Sequence, residues 1–384
     1  MTAKLTGLKT ATPSRLLSRR TFLATTAGSV VGLALPNADA RVIPVKRGYR
    51  VPLDSVPHTR TWMAWPDSRA IWGSALDGAQ ANIALVARTI ANYEPVVLCA
   101  NAQSTAKARS ACGSDVEVID EIPVDDCWMR DTGPIFRINS AGGLDAVGLN
   151  FNGWGGKQTH SRDALVARRV AALVGVPFTA AGFVSEGGAI ETDGHGTLMA
   201  TRSSILNPDR NPERTSAEIE AAMCAAYGAE KVIWFPGIVG KDITDDHVDG
   251  TSRFLASGRA MVQYPALASD HNIWSQDERQ QYDILSASRD AHHKPVRVTR
   301  LTGPIWRKLR QHRHPGFVDD YVNYYVCNRA VIASQFGDSH ADAAARETLA
   351  DAFPRRTVVQ LNIDNLGNGG GGIHCVTQQQ PVAR

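Results

Sequence analysis

Apolar residues recur at helical spacing in five stretches of this chain, and each stretch runs at once into a short β-branched or aromatic segment that reads as a strand. The pairs are residues 79–93 with 95–99, 164–174 with 176–181, 216–227 with 231–235, 278–291 with 296–301, and 341–353 with 357–362. They return roughly every 50 to 80 residues, and each is followed by a loop and further strand-like segments rich in Gly, Asp and aromatics. Such repetition predicts an α/β fold built as a radial array, with a doubly wound open sheet as the alternative. Residues 41–79, which include Trp62-Met63-Ala64-Trp65-Pro66, read as an entry strand with loops. No Ser-rich or Pro-rich linker interrupts residues 41–384, so that span is expected to be a single domain.

The first forty residues follow a different pattern. Ser18-Arg19-Arg20-Thr21-Phe22-Leu23 precedes an uncharged, weakly apolar run from Ala24 to Leu35, which ends at Ala38-Asp39-Ala40. A twin-arginine n-region, a moderate h-region and an A-x-A site are the signature of a Tat export signal. Residues 1–40 are therefore expected to be a Tat signal peptide cleaved after Ala40, with the mature protein periplasmic or secreted. The run is shorter than the roughly 20 residues a membrane span needs, and no later segment qualifies, so the mature protein is expected to have no membrane span.

Composition adds exclusions. With 384 residues, 43% hydrophobic and 21% charged, the chain can bury a large core. The net charge of +3 is small and comes without basic blocks, which argues against a nucleic-acid partner. Cys99, Cys112, Cys127, Cys224, Cys327 and Cys375 show no C-x-x-C pair, so neither a zinc cluster nor a disulfide framework is indicated. Cys99 and Cys327 lie in apolar strand-like runs and read as small buried hydrophobes.

Cys375 has other neighbours. Gly367-Asn368-Gly369-Gly370-Gly371-Gly372-Ile373-His374-Cys375-Val376-Thr377 spells G-x-G-x-x-G, yet no helix can follow it in a βαβ unit, so it is not a dinucleotide loop. The glycines instead allow the main chain to approach a ligand and present Cys375 on a strand at a cavity edge. Three further segments carry chemistry. Thr244-Asp245-Asp246-His247-Val248-Asp249 places His247 and Asp249 two apart, on one face if the segment is extended. Val184-Ser185-Glu186-Gly187-Gly188 sets a carboxylate beside two glycines, and Trp128-Met129-Arg130-Asp131-Thr132-Gly133-Pro134 sets an aromatic and a carboxylate within one turn. Adjacent strand residues point to opposite faces, so His374 is expected to be structural, while Asp245 and Asp246 are expected to line an entrance and attract a cation.

Together, W-M-A-W-P, W-M-R-D-x-G-P, E-G-G, H-V-D and G-G-G-x-I-H-C-x-T-Q-Q-x-P resemble the agmatine deiminase branch of the guanidine-modifying amidinotransferase superfamily, also called the bacterial-type peptidylarginine deiminase family. The match covers nearly all of residues 41–384. It implies the pentein fold, a five-bladed α/β propeller of ββαβ units around a pseudo-fivefold axis. It also implies a small-molecule guanidine substrate, no cofactor, no metal, and a homodimer. A guanidinium carbon is a poor electrophile because three nitrogens share its charge, so its attack calls for a thiolate and a clamp for the cation. Carried over by motif, Cys375 is the nucleophile and His247 the general acid and base. Asp131 and Asp249 accept from the guanidinium nitrogens, Glu186 pairs with the cation or with His247, and Trp128 stacks on the planar group.

The implied reaction is agmatine plus water giving N-carbamoylputrescine and ammonia. In place of the acid that agmatine-specific members carry four residues before the histidine, this chain has Ile243, so peptidyl-arginine, free arginine or another extracellular guanidine is the alternative substrate. Two other classes fit the same residues: a metal-dependent hydrolase with His247, Asp249, Glu186 and Asp131 as ligands, and a non-catalytic guanidine-binding protein.

Overall fold

The computed structural model describes residues 48–314 and 316–383; the twin-arginine segment lies outside the described residues. All five helix-strand pairs form. Their helices are Leu76–Ala91, Val166–Leu173, Ser216–Tyr227, Ile273–Ala287 and Ser339–Ala352, and the strands that follow are Val96–Cys99, Phe178–Ala180, Lys231–Phe235, Arg297–Thr302 and Thr357–Leu361. The fourth helix starts five residues earlier than its periodicity indicates, because the Asn272 side chain accepts from the backbone N–H groups of Trp274 and Ser275 and caps it there. The third keeps its expected bounds. Thr215 and Glu218 form a capping box at its start, and Gly228 closes it in the left-handed region at φ 67°.

The strands form five separate mixed sheets, not one doubly wound sheet, and none closes on itself. Each contains an antiparallel pair whose second strand leads through a helix to a parallel third strand, the crossover that a parallel neighbour requires. Ile135–Asn139 and Leu144–Gly148 precede Phe178–Ala180; Ile190–Thr192 and Thr197–Thr201 precede Lys231–Phe235. Ser252–Ala256 and Arg259–Tyr264 precede Arg297–Thr302, and Tyr325–Val326 and Ala330–Ser334 precede Thr357–Leu361. In the remaining sheet the antiparallel pair joins distant parts of the chain, with Gln378–Pro381 lying against His58–Ala64 at Gln378↔Trp62.

That last strand is polar in sequence, yet its glutamines are buried. Burial is tolerated because each amide has a partner. Gln378 Nε2 donates to Pro134 O at 3.0 Å, Gln379 Nε2 to Asp54 Oδ1 at 2.6 Å, and Gln380 Oε1 accepts from Trp62 Nε1 at 3.1 Å. The helices pack apolar faces onto the sheets. Ile83, Val86, Ala87 and Ile90 bury against a cluster that also holds Val96, Leu98, Trp72, Trp128 and Ile373, each large aliphatic contributing about 1.5–3 kcal/mol. Among the described residues, no helix is long and apolar enough to cross a membrane.

Candidate active site

Five connectors carry the chain from one sheet to the next, and each supplies a side chain to one place. The connector into Ile135–Asn139 carries Trp128 and Asp131, the next carries Glu186, the third His247 and Asp249, the fourth Asn323, and the fifth Cys375. Cys375 occupies a turn between the helix Asp364–Gly369 and the strand Gln378–Pro381, not a strand as its glycines suggested. His247 likewise is not in a strand; it caps the short 3-10 helix Val248–Gly250.

Gly188 marks the centre. A Cβ built there meets His247 Nδ1 at 2.8 Å, Asp131 Oδ1 at 2.9 Å and Asp249 Oδ2 at 3.0 Å, so three functional atoms surround one point. That Asp249 oxygen is also 3.8 Å from Cys375 Sγ. Behind His247, Nε2 meets Glu186 Oε2 at 3.2 Å, leaving Nδ1 toward Asp131 Oδ1 at 3.8 Å. Asp131 is held by the Trp154 indole N–H at 2.9 Å and by the Gly188 N–H at 3.0 Å. The Trp128 ring stacks on Trp72, with centroids 5.9 Å apart and planes at 26°, and lies against Gly371, where a Cβ would come within 2.4 Å of it.

Two buried cations that the motifs did not reveal hold these carboxylates. Arg210 Nε donates to Glu186 Oε1 at 2.8 Å and its Nη1 to Asp245 Oδ2 at 3.0 Å. Lys157 Nζ also donates to Asp245, at 2.5 Å, and to Ile243 O at 3.0 Å. Asp245 and Asp246 are 1% and 3% exposed, which corrects their expected role at an entrance: Asp245 is enclosed by cations, and both are buried. Their φ angles of 59° and 72° put two consecutive non-glycine residues in the left-handed region just before His247, a strain that persists only where its surroundings enforce it. Ser203 and Thr201 do so by donating to the carbonyls of Asp245 and Asp246 at 2.7 and 2.6 Å.

His374 also departs from its expected structural role. Its Nδ1 is 2.7 Å from Asp249 Oδ2, the oxygen that faces Cys375, and its Nε2 is 3.1 Å from Asp54 Oδ2. Arg253 Nη2 donates to the same Asp54 oxygen at 2.6 Å and its Nε lies 2.6 Å from Glu191 Oε1. Asp54, Glu191 and His374 are the only three described metal-ligand side chains whose donor atoms gather within 4.8 Å. Arg253 already sits on both carboxylates, so an added cation would have to displace a buried guanidinium. The alternative ligand set of His247, Asp249, Glu186 and Asp131 forms no such group among the described residues.

A match to the family model described as Porphyromonas-type peptidyl-arginine deiminase covers residues 50–381. This chain belongs to that family. The agmatine deiminase of Stutzerimonas stutzeri is 35% identical over 360 residues, covering 88% of this chain and 97% of its own. That of Pseudomonas aeruginosa is 35% identical over 362 residues, covering 89% and 98%. Among solved structures, the agmatine deiminase of Enterococcus faecalis superposes with a TM-score of 0.82 at 28% identity, covering 89% of this chain and 98% of that one. The chain is thus a hydrolase of this deiminase type.

In this deiminase the charges are unevenly compensated. Burial opposes ionisation of Glu186, but Arg210 and His247 outweigh it and hold the carboxyl below its usual range. Burial likewise opposes ionisation of Asp249, and the His374 hydrogen bond outweighs it. Asp131 lacks an equivalent partner. Burial, with Asp249 and Glu186 nearby, pushes it up to about 6 against the pull of His247. Burial pulls His247 down, but Asp131, Glu186 and Asp249 together raise it to about 9, so the imidazole is protonated at neutral pH. Burial first, then Asp249 and Asp131, push the Cys375 thiol well above its usual range.

The sign for the free thiol follows directly. A raised pKa means that thiolate, the nucleophilic form, is scarce at neutral pH and grows as pH rises. In the free protein, alkylation at Cys375 is expected to accelerate steadily beyond pH 9, followed by mass spectrometry of its peptide. A plateau reached below pH 7 contradicts this electrostatic picture.

Proposed function

We propose that this protein hydrolyses the C–N bond of a guanidine, with agmatine as the leading substrate and N-carbamoylputrescine and ammonia as products. The observation that carries the reading is the meeting of Cys375 Sγ, His247 Nδ1, Asp131 and Asp249 around Gly188. The named agmatine deiminases at 35% identity support the choice of substrate.

In this reading the guanidinium enters between Asp131 and Asp249, and its positive charge favours loss of the thiol proton to solvent. The Cys375 thiolate forms an Sγ–C bond with the central carbon. His247 Nδ1–H passes its proton to the departing nitrogen, which leaves as ammonia with the broken C–N bond and yields an S-alkylthiouronium. Water then attacks that carbon, losing a proton to the now neutral His247. Collapse breaks the Sγ–C bond and releases the ureido product. Glu186 anchors His247, Trp128 covers the planar group, and the residues require no metal or cofactor for these steps.

The five repeated units with five converging connectors support the finer architecture, blades of a pentein propeller around a shared centre. We extend the reading to a single catalytic domain over residues 41–384, a homodimer, and Tat export to the periplasm or beyond. A second reading is favoured by Lys157 and Ile243. A cation on the Ile243 carbonyl, with Asp245 already enclosed, suits a guanidine whose far end is not a second cation, such as peptidyl or free arginine.

Ammonia release from the protein beginning at residue 41 separates these readings. Agmatine is expected to be the best substrate among agmatine, arginine, arginine-containing peptides and simple alkylguanidines. Preference for arginine or its peptides selects the second reading, and silence toward all of them removes both.

A further inference from the structure

The nucleophile has a neighbour that no motif named. Asn323 comes from the fourth connector, is 2% exposed, and reaches Cys375 Sγ with Nδ2 at 3.3 Å. Its amide orientation is fixed by its partners, which settles what resolution alone does not. The backbone N–H groups of His374 and Cys375 both point at Oδ1, at 3.0 and 3.4 Å, and only an oxygen can accept from them. Nδ2 must therefore face the other way. One of its hydrogens goes to Asp249 O at 3.2 Å, and the other is left for the sulfur. Gly372 keeps this arrangement tight, since a Cβ there would lie 2.4 Å from Asn323 Oδ1.

We propose that Asn323 is a catalytic residue, whose Nδ2–H donates to Cys375 Sγ and stabilises the thiolate as it forms and as it is expelled. The need for such a donor is local. The ionisable groups facing the sulfur from the third and first connectors are Asp249 and Asp131, both carboxylates that oppose negative charge on it. The cations nearby are engaged elsewhere: His374 on Asp249 and Asp54, and His247 on Glu186. A neutral N–H bonded to an anion is worth more than one bonded to a neutral thiol, so the contact strengthens when Sγ ionises and weakens when it is alkylated. The inference rests on Cys375 being the nucleophile.

The test compares Asn323→Ala and Asn323→Asp with the unaltered protein. Asn323→Asp keeps an oxygen to accept both backbone N–H groups while replacing the donor with an acceptor, so it preserves the turn if the alanine variant does not fold. Each is assayed for kcat and KM on the best guanidine substrate and for the alkylation rate at Cys375 at pH 8. Loss of a hydrogen bond to a charged group predicts that alkylation and kcat both fall by about 10- to 100-fold, with KM changed much less. Asn323→Asp is expected to lose more than Asn323→Ala. Alkylation at Cys375 within about 3-fold of the unaltered protein in Asn323→Asp overturns the proposal. If blocking Cys375 leaves activity intact, the thiol mechanism itself has failed, a result distinct from failure of Asn323 alone.

Discussion

Cys375→Ser is expected to reduce ammonia release by about 10,000-fold or more, a loss of the order seen when a nucleophile is removed from a preassembled site. A serine hydroxyl is a far weaker acid than a thiol, and the same two carboxylates that oppose thiolate formation would oppose an alkoxide more strongly. His247 offers no rescue, because at about pKa 9 it is protonated at neutral pH and serves first as an acid. Cys375 sits in a half-buried turn, so folding stability should stay within about 1 kcal/mol of the unaltered protein. The measurement is steady-state ammonia release with and without a chelator, alongside a melting curve. Activity that survives chelation and disappears in Cys375→Ser supports the thiol route; activity lost to the chelator and retained by the variant assigns the chemistry to a metal.

Gly188→Ala carries the second large effect. Its Cβ would come to 2.8 Å from His247 Nδ1, 2.9 Å from Asp131 Oδ1 and 3.0 Å from Asp249 Oδ2, distances that require something to shift. None of the three moves freely, being tied to Glu186, Trp154 and His374 in turn. The methyl also occupies the point around which the proposed guanidinium contacts are arranged. Displacement near 1 Å costs about 100-fold in well-oriented sites, so kcat/KM should fall by about that factor or more. Overpacking should lower stability by about 1–3 kcal/mol. Gly182→Ala serves as the control, because its Cβ would meet only Ala222 Cβ at 3.7 Å. Equal kinetics in the two variants would remove the case for Gly188 as the floor of the site.

Hydrophobic period carried much of the fold. All five helices and the strands after them follow from local patterns of apolar residues, because each packs a stripe or a face against a core. The strand Gln378–Pro381 does not announce itself, since three glutamines carry no apolar alternation and their burial depends on partners such as Asp54 and Trp62, more than 300 positions away. The site divides in the same way. Trp128, Asp131, Glu186, His247, Asp249 and Cys375 stand in short local motifs, and the structure gathers them. Arg210 lies in Asn207-Pro208-Asp209-Arg210-Asn211, which reads as a solvated turn but is sealed inside by Glu186 and Asp245. Asn323 did leave a signal. It is a lone amide within Tyr321-Val322-Asn323-Tyr324-Tyr325-Val326, and a polar group buried in an aromatic run needs a specific partner. The strand alternation used for His374 failed because the turn at Cys375 has no such alternation.

Pairing between Gln378–Pro381 and His58–Ala64 also sets an order in time. The sheet that steadies the nucleophile's turn cannot be completed until a strand made early in synthesis meets one made more than 300 residues later. A ribosome-bound chain that has finished four of its five units still lacks the sulfur, so catalytic competence arrives in one late step and not in increments.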